Sequence, residues 1–199
     1  MRRQSILILP LSLALSACAA GPAPRSGFLH DYSGLTKPGK SDSLLEQRPP
    51  DDFRGSDYHA VFIEPSEIKI DDLSDQDRAQ LAGAFREALI ERLQGQLPVV
   101  DHSGPGVLRV RSAIISARKA NVPLNVISSL LVTPITKGGV AAEAEVLDGA
   151  TNRRIAALSW VRRGAKLTQP GLSYTRLGEA RAGLRAFANR LANLFASPR

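Results

Sequence analysis

The chain has little of what enzymes and metalloproteins place at their sites. Its 199 residues include one cysteine, Cys18, which excludes an intramolecular disulfide. The three histidines, His30, His59 and His102, lack the spacing of zinc ligands, and no second cysteine could join them. No Gly-x-Ser-x-Gly sequence nominates a nucleophilic serine. We therefore predict no catalytic residues, no metal and no cofactor, although a Ser/His/Asp triad, whose members meet only in space, stays open.

The sequence also lacks an apolar run long enough to cross a membrane as a helix, which needs about 20 residues. The run from Ser5 to Ala17 is shorter and follows two arginines, an arrangement typical of a secretory signal peptide. Its end, Leu15-Ser16-Ala17-Cys18, resembles the lipobox of bacterial lipoprotein precursors. That resemblance implies cleavage before Cys18 and acylation of both its sulfur, with palmitate as the expected chain, and its new amine.

Acylation at Cys18 would hold the protein at a membrane surface. Each buried methylene contributes about 0.8 kcal/mol, so one acyl chain binds reversibly and two bind stably. The next residue is Ala19, not the aspartate that, by resemblance to enterobacterial lipoproteins, favours inner-membrane retention. We therefore predict a lipid-anchored protein at the periplasmic face of the outer membrane, with the inner membrane as the alternative.

Acidic residues are scarce in the second half of the chain. Residues 103–199 contain 15 Lys and Arg against 4 Asp and Glu, whereas residues 58–102 contain 4 against 9. A basic half ordinarily suggests a nucleic-acid partner. Export argues against nucleic acid and favours anionic lipid head groups or lipopolysaccharide phosphates as neighbours. An arginine-rich surface without a partner is the alternative.

The composition divides the chain into three parts. Residues 1–17 are the predicted signal peptide. Residues 18–57 are predicted to be the lipidated cysteine and a flexible tether, because this part is rich in proline and glycine and shows no sustained periodicity. Within it, the apolar island Gly27 to Leu35 is predicted to dock on the domain as a clip, with a binding motif as the alternative. Residues 58–199 are predicted to be a single α+β domain with its own core.

Apolar periodicity predicts several strands and two long helices in this domain. The main predicted elements are, in order, a strand Tyr58–Ile63, a helix capped by Ser74 and ending near Leu93, strands Leu108–Ile114, Val140–Val146 and Ile155–Val161, and a helix from about Tyr174 to Phe195. The predicted fold is α+β: a mostly antiparallel sheet of four to five strands with both helices packed on one face.

Opposite charges are predicted to meet on the outer face of this sheet. Arg109 and Arg111 alternate with apolar residues on one strand, and Glu143 and Glu145 do so on another. Cross-strand pairing of such charges contributes roughly 0.2–1 kcal/mol a pair. We interpret this face as a structural, salt-bridged surface.

The order of several segments resembles that of a family of bacterial lipoproteins, domain of unknown function 3313. The matching segments are Gly27-Phe28-Leu29 with Asp31-Tyr32-Ser33, Tyr58 through Pro65, the helix Ser74 to Leu89, Pro105 through Val110, and the hairpin Glu143 to Asn152. The resemblance implies a membrane-tethered periplasmic domain and supplies no catalytic residues.

One uncharged stretch, residues 120–136, is rich in Val, Leu and Ile and bounded by Lys119 and Lys137. It could be a helix or crossover that covers the open sheet face. Alternatively it is an exposed apolar flap that contacts lipid or a partner protein, with flanking cations at head-group level. The possible contact surface comprises Leu124, Ile127, Leu130, Leu131, Arg118, Lys119 and Lys137.

These observations lead to one functional prediction and two alternatives. The prediction is a non-enzymatic, lipid-anchored periplasmic interaction or envelope-assembly domain with an envelope protein as partner. The first alternative is a carrier that binds a lipid or cell-wall fragment between helices and sheet, which a sizeable apolar cavity would favour. The second is an enzyme, which would require a cleft where ionisable groups converge.

Overall fold

The computed structural model describes residues 22–118, 139–163 and 178–196. These residues form a mixed sheet with two helices. In chain order the elements are β1 (Leu44–Gln47), β2 (Ala60–Ile63), β3 (Glu67–Ile68), α1 (Asp75–Leu93), β4 (Val99–Val100), β5 (Val107–Arg118), β6 (Gly139–Asp148), β7 (Arg154–Arg163) and α2 (Gly178–Ala196). No helix within these ranges is both long enough and apolar enough to cross a membrane.

The helix α1 forms where the sequence predicts it. Ser74 is the N-cap, and its hydroxyl accepts a hydrogen bond from the Asp77 amide at 3.2 Å. The apolar stripe predicted for this helix is buried throughout and comprises Leu81, Phe85, Ala88, Leu89 and Leu93. Acidic residues in the first turn complement the partial positive charge of the helix N-terminus.

The predicted sheet of four to five mostly antiparallel strands is wrong. Seven strands form a mixed sheet in the order β1-β7-β6-β5-β2-β4, and β3 also pairs with β5. The pairs β1/β7, β6/β7 and β5/β6 are antiparallel, whereas β2/β4, β2/β5 and β3/β5 are parallel. The parallel part follows from α1, which carries the chain back along the sheet so that β4 and β5 start in the direction of β2.

Both helices pack on the same face of the sheet. One core cluster joins α1, α2 and strands β2, β5, β6 and β7, and the rings of Phe85 and Phe187 meet edge-on at 5.4 Å. Gly183 lets α2 approach β6 closely, because a Cβ at this position would come within 2.4 Å of a Val140 methyl carbon. The helices run parallel to each other, since Arg181 contacts Gln80 near their starts and Gln96 contacts Ala192 near their ends.

The sheet begins earlier in the chain than the predicted domain start at residue 58. Residues 44–47, expected in a flexible tether, form β1 and pair with β7 from Leu44↔Trp160 to Gln47↔Ala157. Phe28 and Leu29 form a second, smaller cluster with Ala113 and Ala157. The described part of the predicted tether, residues 22–57, is therefore built into the fold rather than free of it.

Candidate functional site

Most residues predicted to be functional lie outside the described part of the structure. The lipobox residues Leu15, Ser16, Ala17 and Cys18 precede residue 22, and Lys119, Leu124, Ile127, Leu130, Leu131 and Lys137 fall between residues 118 and 139. Arg118 ends β5, where its backbone pairs with Gly139 of β6. Residues 120–136 are therefore attached at the end of the sheet where β5 and β7 finish and β6 begins. We call this the anchor end.

Residues 23–36, here named the strap, lie across the sheet face that the helices leave uncovered. Phe28 is 3 % exposed and Leu29 is fully buried. The Pro24 carbonyl accepts a hydrogen bond from the Ser159 hydroxyl at 2.6 Å. The predicted docking clip, from Gly27 to Leu35, is confirmed.

Glu143 is the polar centre beneath the strap. Its side chain is fully buried. Its two oxygens accept hydrogen bonds from the Ser26 hydroxyl at 2.5 Å, from the Ser26 amide at 3.3 Å and from the Tyr32 hydroxyl at 3.0 Å. Burial, together with the bond to the Glu143 carboxylate, raises the pKa of Tyr32 above its ordinary value of 10.0. Tyr32 therefore stays a protonated donor to Glu143.

The predicted charge pairs on this face form only in part. Arg111 donates to Glu145 at 2.7 Å, as predicted, and its guanidinium lies 5.0 Å from the centre of the Phe28 ring. Arg109 instead pairs with Glu64 and donates to Asn152 at 2.8 Å. The expected role of Glu143 is wrong because the strap covers it, and neither Ser26 nor Tyr32 was linked to it from sequence. The sequence signal at this position was a glutamate that alternates with alanines on a mostly apolar strand, which equally fits a cross-strand ion pair.

A cleft of about 540 Å³ opens beside this network at the edge of the strap, lined by Arg109, Arg111 and Arg154 among others. Arg154 donates to the Asp31 carbonyl at 2.5 Å and to Gln47 at 2.9 Å. Each of the three guanidiniums is thus already bonded to an oxygen of the protein. The arginines tie strap and strands together and do not form an open anion site.

A second polar contact lies at the opposite end of the sheet. The Tyr58 hydroxyl donates to Asp148 at 2.8 Å. The amide and hydroxyl of Thr151, and then Tyr58, lower the pKa of Asp148 to about 2. Burial, and then the bond to Asp148, raises the pKa of Tyr58 to about 12. This contact fastens the start of β2 to the β6–β7 turn.

The strap starts at the anchor end of the sheet. The Ala23 amide donates to the Asp42 carbonyl at 2.7 Å, and the next carbonyl, of Ser43, accepts from the Val161 amide at 2.8 Å. Val161 lies two residues before the end of β7 at Arg163. Ala23 therefore lies beside the last paired residues of β7, close to the Arg118–Gly139 pair of β5 and β6.

The described core leaves little room for a ligand. A cavity of about 170 Å³ lies between the sheet and the end of α1, and its lining includes Val61, Leu97, Leu108 and Val146. Ligand pockets of proteins usually measure about 300–1,000 Å³. The cavity between helices and sheet is thus too small for a lipid acyl chain or a cell-wall fragment.

Within residues 22–118, 139–163 and 178–196, no three side chains of the His, Cys, Asp and Glu types gather as metal ligands would. His102 is exposed and bonds only to its neighbour Asp101, at 2.6 Å. The three histidines lie on the strap, before β2 and after β4. The described part therefore offers a packed scaffold with a clamped N-terminal segment.

Fold and contacts together define an α+β domain whose N-terminal strap is folded across its sheet. Sequence comparison places it further: the chain belongs to the family DUF3313, a family of proteins of unknown function, which matches residues 24–191. The family resemblance read from the sequence is confirmed. No curated protein matches the chain.

Solved structures are similar to this chain at low sequence identity. The PelC dodecamer from Paraburkholderia phytofirmans shares 10% identity at a TM-score of 0.44, covering 75% of this chain and 96% of that chain. A minor lipoprotein from Acinetobacter baumannii shares 10% identity at a TM-score of 0.37, covering 70% and 93%. A PDZ domain protein from Parabacteroides distasonis shares 9% identity at a TM-score of 0.46, covering 79% and 36%.

Proposed function

We propose that the protein is a lipid-anchored, non-enzymatic domain of the bacterial envelope, which presents residues 120–136 to a partner protein at the periplasmic face of the outer membrane. The anchor would be Cys18, acylated after removal of residues 1–17. One observation carries the proposal: the strap starts at the end of the sheet where β5 and β6 hold the ends of residues 119–138.

The short distance from anchor to fold supports this arrangement. Pro22 lies four positions after Cys18, and an extended chain spans at most about 3.6 Å per residue. The acylated sulfur would therefore lie within about 14 Å of Pro22. A docked strap, unlike a 40-residue tether, keeps the anchor end of the domain beside the membrane, where β5 and β6 hold the two ends of residues 119–138.

The packing supports an interaction domain over the alternatives. A carrier that binds between sheet and helices would need a larger cavity than the 170 Å³ beside α1, and the larger openings, of about 580 Å³ between α1 and α2 and about 540 Å³ beside the strap, are lined largely by polar and charged side chains. An enzyme would need ionisable groups that converge on a reacting atom. Glu143, the most buried carboxylate beneath the strap, faces Ser26 and Tyr32 and no open cleft.

Photocrosslinking in intact cells tests the proposal. A photoreactive residue replaces Leu130, and the control replaces Ala150, which is exposed in the β6–β7 turn at the opposite end of the sheet. Thr151, next to the control site, is held by Asp148, so the turn keeps its position.

The expected result is a discrete protein adduct at Leu130 that is missing at Ala150. Adducts to lipid alone at Leu130 would show that this segment contacts the membrane and would contradict a protein partner. Absence of any adduct at Leu130 would contradict an exposed contact segment, and the same adducts at both positions would contradict a specific one.

A further inference from the structure

Basic residues from separate parts of the chain lie around one corner of the anchor end, with Arg25 on the strap side of the sheet and Arg162 on the helix side, where it donates to the Ala182 carbonyl of α2. Arg25 follows Pro24, which is bonded to Ser159 of β7. Lys37 and Lys40 lie in the turn between Thr36, which pairs with Glu46, and Asp42, which bonds to Ala23. Arg162 is the penultimate residue of β7. We call these four residues the basic corner.

The side chains of the basic corner are exposed and weakly neutralised. All four residues are exposed. Among the described residues, Arg25 and Arg162 each lie 6.0 Å from an aromatic ring, and Arg162 adds one 3.5 Å bond to the Ala182 carbonyl. The described carboxylate at this corner is Asp42, which forms an ion pair with Lys37. Four cations thus face one anion at the point where the chain leaves for Cys18.

Acidic residues lie away from this corner. The opposite end of the sheet carries Asp51, Asp52, Asp57 and Asp148 together with four arginines, Arg48, Arg54, Arg153 and Arg154, so its charges balance. At the anchor end itself, the acidic residues are Asp71, Asp72 and Asp75, between β3 and the first turn of α1. This part of the chain lies on the far side of β5 from β7. The net positive charge of the described domain is therefore concentrated at the strap side of the anchor end.

We propose that the basic corner docks on the anionic phospholipid surface around the lipid anchor and fixes the tilt of the domain. The inference rests on the proposed lipid anchor and adds a second, electrostatic contact to it. A basic residue near an anionic membrane contributes about fivefold in association, and the attraction fades within a Debye length. The acidic start of α1 would be repelled, so the β1–β7 side would face the lipid.

The protein carries its own probe of this orientation. Trp160 is the single tryptophan of the chain, and the Arg162 guanidinium lies 6.0 Å from its ring. The mature lipidated protein is reconstituted into vesicles of phosphatidylcholine, and into vesicles of equal parts phosphatidylcholine and phosphatidylglycerol. Both carry a phospholipid spin-labelled on its head group, which quenches tryptophan fluorescence at short range. Flotation of the same samples reports anchoring separately.

The test variant combines Arg25→Glu with Lys40→Glu, two exposed residues without an ion-pair partner in the described ranges. The matched control combines Arg54→Glu with Arg153→Glu, which changes the net charge equally at the opposite end. Arg162 is left unchanged because its substitution would alter the fluorescence of Trp160 directly.

Stronger quenching of Trp160 in the phosphatidylglycerol vesicles is expected for the wild type and the control. In the test variant, quenching of Trp160 is expected to fall to the level seen with phosphatidylcholine vesicles. The same fall is expected for the wild type in about 1 M salt, where the Debye length is about 3 Å. Equal quenching in both vesicles, or equal loss in both variants, would overturn the docking surface while leaving the anchor and the Leu130 contact standing. Failure to float with either vesicle would overturn the anchor and this inference with it.

Discussion

Single buried polar residues decide how the strap is held. Glu143, Glu145 and Glu46 are each 5 % exposed or less, and each is bonded to another part of the chain. A buried carboxylate without its donors is costly, so the bonds from Ser26 and Tyr32 to Glu143 make the docked position of the strap specific, while the other two glutamates fasten β5 to β6 and β1 to α2.

The Glu143→Ala variant tests this role. It leaves the Ser26 and Tyr32 hydroxyls without their acceptor beneath the strap, so we expect a loss of about 2 kcal/mol in the free energy of unfolding. Urea unfolding followed by circular dichroism measures it. Glu67→Ala is the control, because Glu67 is half exposed and makes only long ion pairs with Lys69 and Arg111. Equal losses in the two variants would contradict a special role for Glu143.

The bond between Tyr58 and Asp148 predicts a dependence of stability on pH. The folded-state pKa of Asp148 is lowered from 3.8 to about 2, so its contribution is complete above pH 4 and is lost as pH falls to 2. The Asp148→Asn variant should lose this part of the acid dependence. The pKa of Tyr58 is raised from 10.0 to about 12, so the same bond is lost as pH rises through that range.

Thermal unfolding at pH 7 and at pH 2.5 measures the acid limb. At pH 7 the wild type should be more stable than Asp148→Asn, and the gap should shrink at the lower pH. A gap that stays constant would show that the carboxylate of Asp148 does not contribute through its charge. Tyr58→Phe should behave similarly, since it removes one of the donors that hold the pKa down.

At the scale of elements, long periodic segments could be predicted and short pairings could not. The helix α1, with its Ser74 cap and apolar stripe, and the long strands β5 to β7 follow from local pattern. Strands β3 and β4 have two residues each; the sequence indicates short extended segments at both positions, but two residues do not specify the partner strand. The four residues of β1 lie in a proline-rich segment and gain their pairing only from β7, more than 100 residues further on.

The same limit explains the strap and the contact surface. The apolar island Gly27 to Leu35 could be predicted to dock, because two aromatic and two leucine side chains seek burial. Its partner Glu143 could not, because their meeting depends on the packing of the sheet. The lipobox and residues 120–136 lie outside the described residues, so Cys18 and the Leu130 contact stay predictions.

The link between β1 and α2 gives an element-scale prediction. Glu46 is 2 % exposed and accepts hydrogen bonds from Arg190 at 2.9 and 2.5 Å, while Arg48 lies 3.2 Å away. Arg190→Met leaves the buried carboxylate with Arg48 alone and should cost about 2 kcal/mol. Relative to the wild type, amide hydrogen exchange in this variant should be accelerated more in β1 than in α1. Arg185→Met on the exposed side of the same helix should change neither, and an equal effect there would contradict the link.

For the molecule as a whole, strap and domain should unfold together. Leu29 is fully buried between strap and sheet, so Leu29→Ala should cost about 2–4 kcal/mol in the stability of the entire fold. Trp160 fluorescence and circular dichroism should give coincident transitions in both wild type and variant. Leu35→Ala, at a partly buried position, should have a smaller effect. Transitions that differ between the two probes would contradict a single cooperative unit.

If the chain is exported and acylated as proposed, the long-range contacts of its N-terminal part also set an order of events. Ser26 meets Glu143 117 residues later, Pro24 meets Ser159 135 residues later, and Glu46 meets Arg190 144 residues later. Loops of this length close late, and a chain that crosses a membrane from its amino terminus exposes these partners last. We therefore expect the segment around Cys18 to stay extended and accessible to processing enzymes until translocation is nearly complete. The lipid would then be attached before the fold closes over its own beginning, and pulse-labelling that finds acylation only after the strap has become protease-resistant would contradict this order.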